Sequence, residues 1–272
     1  MRLGFIGGGR MCEAILRGLL DRGVVRGRDV VVAEISSERR QELAETFGVA
    51  TTIHGVDAVA EAEVVILAVK PQHLSTVLED LRQKTPSDTL VLSIVAGARL
   101  SILVDGLDHR VVVRAMPNTP AQVGKATTVW TATSETDDEQ RELARTILGG
   151  VGFELEVATE ALVEAATGIS APAPAFVYLL VEAMSDAAVA LGFNAEQAQQ
   201  LVLESFRGSL ELQRVTGEHP AILRSHVTSP GGATAAGLYA LERGRVRTAI
   251  HDAVRAVFDR AQILGASVDD RP

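Results

Sequence analysis

The chain has 272 residues, of which 47% are hydrophobic, 22% charged and 4% aromatic, which is typical of a globular protein of one or two domains with an aliphatic core. Its net charge of −9 argues against a nucleic-acid backbone or an anionic membrane as the main partner, because either would repel it. The single cysteine, Cys12, excludes an intramolecular disulfide and indicates a reducing cytoplasm.

Short runs rich in Val and Ile alternate with helical apolar spacing through the first half of the chain. The predicted strands are at residues 2–6, 30–33, 64–69, 89–95 and 110–115. The predicted helices between them are at residues 10–22, 37–47, 71–83 and 99–106. This alternation is typical of a parallel sheet covered by helices on both faces. Further β-rich pieces at 127–131 and 153–157 flank a predicted helix at 137–148, and we expect them to extend the sheet.

From about residue 160 the strand signal ends, and Ala- and Leu-rich helical patterns follow. The predicted helices are at residues 162–191, 195–216, 219–224, 232–243 and 245–264. The stretch 176–191 is apolar on most faces, which indicates burial, for example against a second subunit. We expect no membrane span, because no uninterrupted apolar run approaches the roughly 20 residues that cross a bilayer. The predicted boundary falls near 158, with an α/β domain at 1–158 and an all-α domain at 159–272.

A glycine-rich turn after the first predicted strand fits the pattern G-x-G-x-x-(small), with Gly7, Gly9 and Cys12 in the defining places. Gly7 permits the tight turn, Gly9 lets the backbone approach a pyrophosphate, and a small residue at 12 lets the helix pack on the strand. The pyrophosphate is expected against the amides that open the helix, around Arg10 and Met11. A turn without a ligand is the alternative. The strand–turn–helix context favours a dinucleotide and a Rossmann-type domain.

An acid, Glu34, ends the second predicted strand. A carboxylate there accepts hydrogen bonds from the adenosine ribose and repels a 2′-phosphate, which favours NADH. Ser36, Ser37, Arg39 and Arg40 offer the opposite arrangement, a cradle for the 2′-phosphate of NADPH, so the sequence leaves the choice open. A solvated helix start capped by either serine also explains several of these residues.

Other candidate residues follow the remaining strands, where open α/β sheets bind their ligands. The predicted cofactor-binding residues at these strand ends are Ala68, Val69, Lys70, Pro71, Ala96, Gly97 and Asn118. Lys70 directly follows a buried strand, which favours a functional role over that of an ordinary exposed lysine. Ala96 and Gly97 are small enough to let a nicotinamide ring approach the backbone.

Several segments resemble the pyrroline-5-carboxylate reductase family. They are residues 4–9, 69–72, 114–120 and 226–234, followed by Gly237, Leu238, Leu241 and Glu242. The resemblance is collinear and covers nearly the whole chain. It implies a Rossmann domain joined to an all-α domain that interlocks with another subunit, so at least a homodimer. It also implies the last step of proline biosynthesis, hydride transfer from NADH or NADPH to the cyclic imine of pyrroline-5-carboxylate.

The resemblance also indicates a substrate loop in the second half. The predicted substrate-binding residues are Ser229, Gly231, Gly232, Ala233, Thr234 and Glu160. The loop offers amides and hydroxyls for the substrate carboxylate at the start of a helix, although a loop that merely caps the helix is the alternative. By resemblance, Thr234 reaches the ring nitrogen or the carboxylate; we take it and Lys70 as the catalytic candidates. No metal is expected, because the six histidines show no ligand spacing.

The chain departs from the family pattern in three places. Relatives usually carry Ser-Gly-Ser-Gly-Pro-Ala-Tyr before the long helix, where this chain has Ser-Ala-Pro-Ala-Pro-Ala-Phe at 170–176. Pro172 removes an amide donor and Phe176 lacks the hydroxyl, so the loop cannot make the same hydrogen bonds as in relatives. Gly55 and Ile35 stand where relatives often have Asn and Arg near the adenosine, which weakens the case for NADPH and leaves a lean towards NADH.

Two alternatives to pyrroline-5-carboxylate reduction therefore remain. One is a reductase of a different cyclic imine, such as a substituted pyrroline or a piperideine carboxylate. The other is a non-catalytic relative that binds the nucleotide, against which the retained Lys70, Asn118 and Thr234 argue.

Overall fold

The computed structural model describes residues 1–269, with side chains to residue 263. Backbone contacts divide the chain into two compact units. The sheet unit comprises Met1–Ala171 together with the chain from Val257 onwards, and the helical unit comprises Pro172–Ala256. This division falls later than the boundary expected near residue 158.

The sheet unit is built on an eight-stranded sheet in the order β3-β2-β1-β4-β5-β6-β7-β8. The strands are β1 (Leu3–Ile6), β2 (Val30–Ala33), β3 (Ala50–Thr52), β4 (Val64–Leu67), β5 (Leu90–Ser93), β6 (Val112–Met116), β7 (Ala126–Ala132) and β8 (Gly152–Glu156). Neighbouring strands are parallel except β6 and β7, which are antiparallel. All seven predicted strands are present, and the predicted Rossmann-type sheet is confirmed.

Seven α-helices lie between or after these strands. They are α1 (Arg10–Asp21), α2 (Ser37–Phe47), α3 (Gly55–Val59), α4 (Leu74–Leu81), α5 (Leu100–Leu107), α6 (Asp138–Gly149) and α7 (Glu160–Thr167). The sheet divides the core into two clusters, one on each face. Phe5 and Ile6, neighbours on β1, belong to different clusters, because successive side chains of a strand point to opposite faces. Because β2, β1 and β4 are adjacent and parallel, their carboxyl ends lie side by side at one edge of this packed sheet.

The helical unit contains the remaining helices, the last of which continues into the sheet unit. They are α8 (Ala173–Ala190), α9 (Ala195–Thr216), α10 (Pro220–His226), α11 (Ala233–Arg243) and α12 (Val246–Asp269). The predicted all-α second half is confirmed, with one correction. The helix predicted at 162–191 is two helices, α7 and α8, because Gly168 ends the first and Pro172, which lacks an N–H, precedes the second. Helix α7 packs on β6 and β7, which explains why the sheet unit extends past residue 158.

Helix α8 has an apolar and largely exposed surface in the single chain. Its exposed apolar side chains are Val177, Tyr178, Leu179, Leu180, Met184 and Val189. The mean hydropathy of the helix is 1.4 over 18 residues. Among the described helices, it is the one whose length and composition would allow it to cross a membrane. The run is interrupted only by Glu182 and Asp186 as charged residues.

Candidate active site

The carboxyl ends of β1, β2 and β4 open onto a cleft of about 530 Å³ within the sheet unit. Six of the predicted cofactor-binding residues line it: Gly7, Gly9, Glu34, Ala68, Val69 and Lys70. A cleft of this volume lies in the range of small-molecule and cofactor sites. The structure therefore brings together residues that are as far apart as positions 7 and 70 in the sequence.

The glycine turn has the geometry that a pyrophosphate requires. Gly7 has a φ of +99°, and a Cβ there would lie 2.9 Å from the carbonyl oxygen of Ala68. Gly9 differs, because a Cβ there would meet no protein atom within 4 Å. The backbone at Gly9 is thus open on the side of the cleft, at the start of α1, where the unpaired amides and the helix dipole favour an anion. The residues present fit a dinucleotide.

Cys12 packs beneath this turn on α1 and is fully buried. Burial raises the pKa of its thiol far above the usual range, an effect that the nearby Arg39 only partly opposes. The thiol is therefore held in its neutral form, as a small apolar residue between helix and sheet.

Glu34 lies beside the glycine turn, and its carboxylate is held by two backbone amides. Oε2 accepts a hydrogen bond from the N–H of Gly8 at 2.8 Å, and Oε1 accepts one from the N–H of Ser36 at 2.9 Å. The hydroxyl of Ser36 in turn caps α2 by accepting from the N–H of Arg39 at 3.3 Å. The carboxylate is thus fixed at the wall of the cleft.

The two arginines near Glu34 are engaged with the protein itself. Arg39 donates from Nε to the carbonyl oxygen of Gly8 at 2.7 Å, and its remaining nitrogens pair with Glu13 and Glu42, both at 2.7 Å. Arg40 donates from one nitrogen to the carbonyl oxygens of Glu34 and Ile35, at 2.7 and 2.9 Å. The cradle for a 2′-phosphate that these residues offered in the sequence is therefore occupied by hydrogen bonds within the fold.

The cleft is also lined by residues that were not predicted from the sequence: Ile53, His73, Thr76, Val77, Asp80 and Leu81. The residues at 73, 76, 77 and 80 follow the spacing i, i+3, i+4, i+7, so they form one face of the turn and helix after β4. That periodicity was available in the sequence. Lys70 is exposed at the rim, and Pro71 opens a 3₁₀ turn, Pro71–His73, immediately after it.

Ala96, Gly97 and Asn118 lie outside the lining of this cleft. Gly97 has a φ of +77° and lines a separate small cavity of about 40 Å³ in the sheet unit, beside Arg99 and Arg114. Asn118 is buried; its Oδ1 accepts from the N–H of Thr127 at 2.8 Å, and its Nδ2 donates to the carbonyl oxygen of Ser170 at 3.0 Å. Both ends of this amide are bonded within the sheet unit, to Thr127 of β7 and to Ser170 after α7, and a role of Asn118 in cofactor binding stays a prediction.

Glu160 also has a structural role in the sheet unit. Its Oε1 accepts from Arg114, a buried side chain on β6, at 2.6 Å and from the N–H of Leu100 at 2.7 Å. One carboxylate oxygen thereby joins α7, β6 and the start of α5. These bonds hold the carboxylate of Glu160 within the sheet unit, and its contact with the substrate stays a prediction.

The predicted substrate loop lies in the helical unit, immediately before α11. Gly232 is the N-cap, so Ala233 and Thr234 open the helix, where the first amides have no partner within the helix. We expected the amide of Gly232 to be available to the substrate. Instead it donates to the carbonyl oxygen of Ser229 at 3.0 Å. Gly231 has a φ of +71°, which a non-glycine residue rarely adopts, and the side chain of Thr234 is exposed.

Models of two protein families match separate parts of the chain. Residues 2–97 match the model described as NADP oxidoreductase coenzyme F420-dependent, and residues 160–264 match that described as pyrroline-5-carboxylate reductase dimerisation. The pyrroline-5-carboxylate reductase of Synechocystis is 41% identical over 265 residues, covering 97% of this chain and 98% of that protein. The chain belongs to the pyrroline-5-carboxylate reductase family.

Other members of the pyrroline-5-carboxylate reductase family show the same similarity. The Thermus thermophilus protein is 38% identical, over 98% of this chain and the whole of that protein. The solved structure from Coxiella burnetii superposes with a TM-score of 0.91 at 33% identity, covering 97% of this chain and 98% of that one. The Plasmodium falciparum structure, which has NADP bound, superposes with a TM-score of 0.86 at 26% identity over the same shares of the two chains.

Proposed function

We propose that this chain reduces 1-pyrroline-5-carboxylate to L-proline with a reduced nicotinamide cofactor. The observation that carries the proposal is the 41% identity to the Synechocystis pyrroline-5-carboxylate reductase across 97% of the chain. A similarity of that extent includes both the glycine turn of the sheet unit and the loop before α11 of the helical unit.

The reduction of a cyclic imine does not require a strong acid or base from the protein. NADH or NADPH, when bound, supplies a hydride to the imine carbon, so that the C=N bond becomes a C–N bond and the nicotinamide is oxidised. The ring nitrogen can take its proton from solution, as a cyclic iminium, before the hydride arrives. The protein then contributes chiefly by holding the reactants in contact, which is worth on the order of 7–11 kcal/mol.

The chain supplies two anion sites for this task. The open backbone at Gly9 and the first amides of α1 bind the pyrophosphate. The amides of Ala233 and Thr234 at the start of α11, with the hydroxyl of Ser229, bind the substrate carboxylate. We propose that the Thr234 hydroxyl hydrogen-bonds to the ring nitrogen or the carboxylate of the substrate. The exposed ammonium group of Lys70 would pair with anionic groups of the bound ligands at the rim of the cleft.

A substitution at Thr234 tests the substrate loop. Thr234→Ala is expected to lower kcat with pyrroline-5-carboxylate strongly, by about 10²-fold, because a hydrogen bond to the reacting ring is lost. Its affinity for the nucleotide is expected to stay near that of the wild type, and Thr234→Ser, which keeps the hydroxyl, should retain most of the activity. Collapse of nucleotide affinity in Thr234→Ala would show that the loop is misassigned.

We propose that the chain prefers NADH. The fixed carboxylate of Glu34 faces the cleft, and the guanidinium groups of Arg39 and Arg40 are already bonded to the protein, so a 2′-phosphate meets negative charge. The exposed side chain of Ile35 offers apolar contact in place of a cation. Both features support NADH.

The cofactor assay is direct. The purified protein is given pyrroline-5-carboxylate with NADH or with NADPH, and loss of absorbance of the reduced nicotinamide is followed. The expected result is a higher kcat/KM with NADH, and a ratio that shifts about tenfold towards NADPH in Glu34→Gln as one charge repulsion is removed. A higher kcat/KM with NADPH in the wild type would overturn the preference.

A second candidate substrate, a different cyclic imine carboxylate, is favoured by one observation. Pro172 stands at the N-cap of α8, where relatives usually carry Ser, so one amide that relatives can offer is absent from this helix start. A pocket with altered donors there can suit a substituted pyrroline or a six-membered piperideine carboxylate. The same assay with these imines decides between them, because the true substrate gives the highest kcat/KM. Nucleotide binding without turnover of any imine would instead indicate a non-catalytic relative.

We propose that the active form is at least a homodimer that works in the cytoplasm. The dimerisation family model covers α8, whose exposed apolar side chains need a partner, and a second copy of the chain supplies it. The neutral, buried thiol of Cys12 is consistent with a protein that never forms disulfides.

A further inference from the structure

The backbone of Gly8, in the middle of the glycine turn, is held through both of the peptide groups that flank its Cα. Its N–H donates to Glu34 Oε2 at 2.8 Å, and its carbonyl oxygen accepts from Arg39 Nε at 2.7 Å. These two bonds join β2 and α2 to the turn that follows β1. We call the three residues Gly8, Glu34 and Arg39 the Gly8 clamp.

Arg39 is itself fixed in place. Its side chain is 21% exposed, and its terminal nitrogens pair with Glu13 of α1 and Glu42 of α2, each at 2.7 Å. The hydrogen bond from Arg39 is the main reason why the pKa of Glu13 lies below its usual value, so the pair is ionised at neutral pH. A guanidinium held by three groups in a planar fork cannot turn towards a ligand without breaking those bonds.

Neighbouring side chains pack closely around Gly8 and leave no room for a side chain there. A Cβ at Gly8 would lie 2.7 Å from a methyl carbon of Leu43 and 3.2 Å from the Glu34 side chain. The Gly8 clamp therefore fixes the backbone between Gly7, whose φ is positive, and Gly9, whose backbone opens onto the cleft. The Gly8 carbonyl and the Gly9 N–H belong to one planar peptide group, so the bond from Arg39 to that carbonyl also orients the Gly9 amide in the proposed pyrophosphate seat.

We propose that Arg39 is a positioning residue for the cofactor, which preforms the pyrophosphate seat through Gly8 and serves NADH and NADPH equally. This inference rests on the proposed nicotinamide dependence, although not on the identity of the imine. It differs from the role that the sequence offered to Arg39, direct contact with a 2′-phosphate, which would concern NADPH alone.

Nucleotide titration separates these roles. The dissociation constants of NADH and of NADPH are measured by cofactor fluorescence for the wild type and for Arg39→Gln. Both constants are expected to rise by a similar factor, about tenfold, because the pyrophosphate is common to the two cofactors. A rise for NADPH alone would overturn the proposal, because it would identify Arg39 as a 2′-phosphate ligand.

Further variants distinguish positioning from general stability. Glu13→Gln loosens Arg39 from the side of α1, outside the lining of the cleft, and is expected to weaken both cofactors in the same proportion but less. Arg141→Gln is the matched control, because Arg141 is similarly buried, at 24% exposure, and bonds to Glu156 and the carbonyl oxygens of Thr133 and Thr136, away from the turn. It should lower the melting temperature without changing either dissociation constant.

Steady-state kinetics supply a second measurement on the same variants. In Arg39→Gln the KM for each cofactor should rise while kcat changes little, because the reacting rings are not touched. Unchanged binding of both cofactors in folded Arg39→Gln and Glu13→Gln would contradict the proposal. It would show that Arg39 has a structural role only. Because binding is measured directly, failure of the chain to reduce any imine would refute the proposed reaction while leaving this test intact.

Discussion

Gly7 and Gly9 stand two residues apart in the same turn, but they are glycine for different reasons. Gly7 has a φ of +99° and no room for a Cβ, since Ala68 O would lie 2.9 Å away. Gly9 has a φ of −70° and a ψ of −173°, which any residue adopts, and a Cβ there would point into open space. The requirement for glycine at position 7 therefore comes from the fold, whereas we predict that the requirement at position 9 comes from the cofactor.

Alanine substitutions separate these requirements. Gly9→Ala is expected to cost less than about 1 kcal/mol of stability, as for a helix N-cap, while its methyl group enters the pyrophosphate seat. Its affinity for NADH should fall at least tenfold, about 1.4 kcal/mol. Gly7→Ala should instead lose about 1–3 kcal/mol of unfolding free energy through backbone strain. The measurements are denaturant unfolding and NADH titration, and normal NADH binding by Gly9→Ala would contradict the assignment.

At the scale of elements, α1 and α2 are connected by an ion pair whose strength depends on pH. The hydrogen bond from Arg39, and a second from Arg17, lower the pKa of Glu13 from its usual value of 4.5. A carboxyl whose pKa is lower in the folded state stabilises the fold above its unfolded pKa and loses that effect as the pH falls through the folded pKa. The stabilisation by Glu13 is therefore present at neutral pH and absent in strong acid.

Glu13→Gln tests this dependence. At neutral pH it should unfold with up to about 1 kcal/mol less free energy than the wild type, since the pair is only partly buried. The difference should shrink as the pH falls below the usual pKa of Glu13, because the wild type then loses the same charge. Glu79→Gln, an exposed position on α4, is the control and should differ little from the wild type at either pH. A stability gap of Glu13→Gln that stays constant into strong acid would argue against the ion pair.

The elements themselves were largely predictable, and the exceptions have local causes. Strand β3 was missed because Ala50, Thr51 and Thr52 form a short, half-exposed edge without a buried apolar run. The antiparallel pairing of β6 and β7 follows from the short link between them, a 3₁₀ turn at Thr119–Val123, since a parallel pair needs a crossover of a dozen or more residues. The break between α7 and α8 was signalled by Pro172.

The candidate site was predictable only where it is local. The glycine turn and Glu34 follow from a motif, whereas the bond from Arg39 to Gly8 spans 31 positions and its pair with Glu13 spans 26. No spacing rule specifies such contacts. The pattern likewise gave no sign that the amide of Asn118 joins Thr127 to Ser170, and its role in cofactor binding stays a prediction.

At the scale of the whole molecule, the single chain leaves the apolar surface of α8 without cover, and the dimerisation family model includes this helix. Leu179, on that surface, is 62% exposed. A carboxylate at this position would have to be buried without a partner when two copies associate, which costs several kcal/mol. In the isolated chain the same carboxylate would face water, so it would cost little free energy.

Leu179→Glu is therefore expected to give monomers by sedimentation analysis, at protein concentrations where the wild type is at least dimeric. Leu179→Met keeps the apolar surface and should assemble as the wild type does. The monomers should still bind NADH, because every residue that lines the cleft belongs to the sheet unit. Their turnover of the imine should be lost, because the proposed substrate loop belongs to the helical unit, which the dimerisation family model covers. An assembled, active Leu179→Glu would place the interface on another surface, and active monomers would show that one chain is sufficient for catalysis.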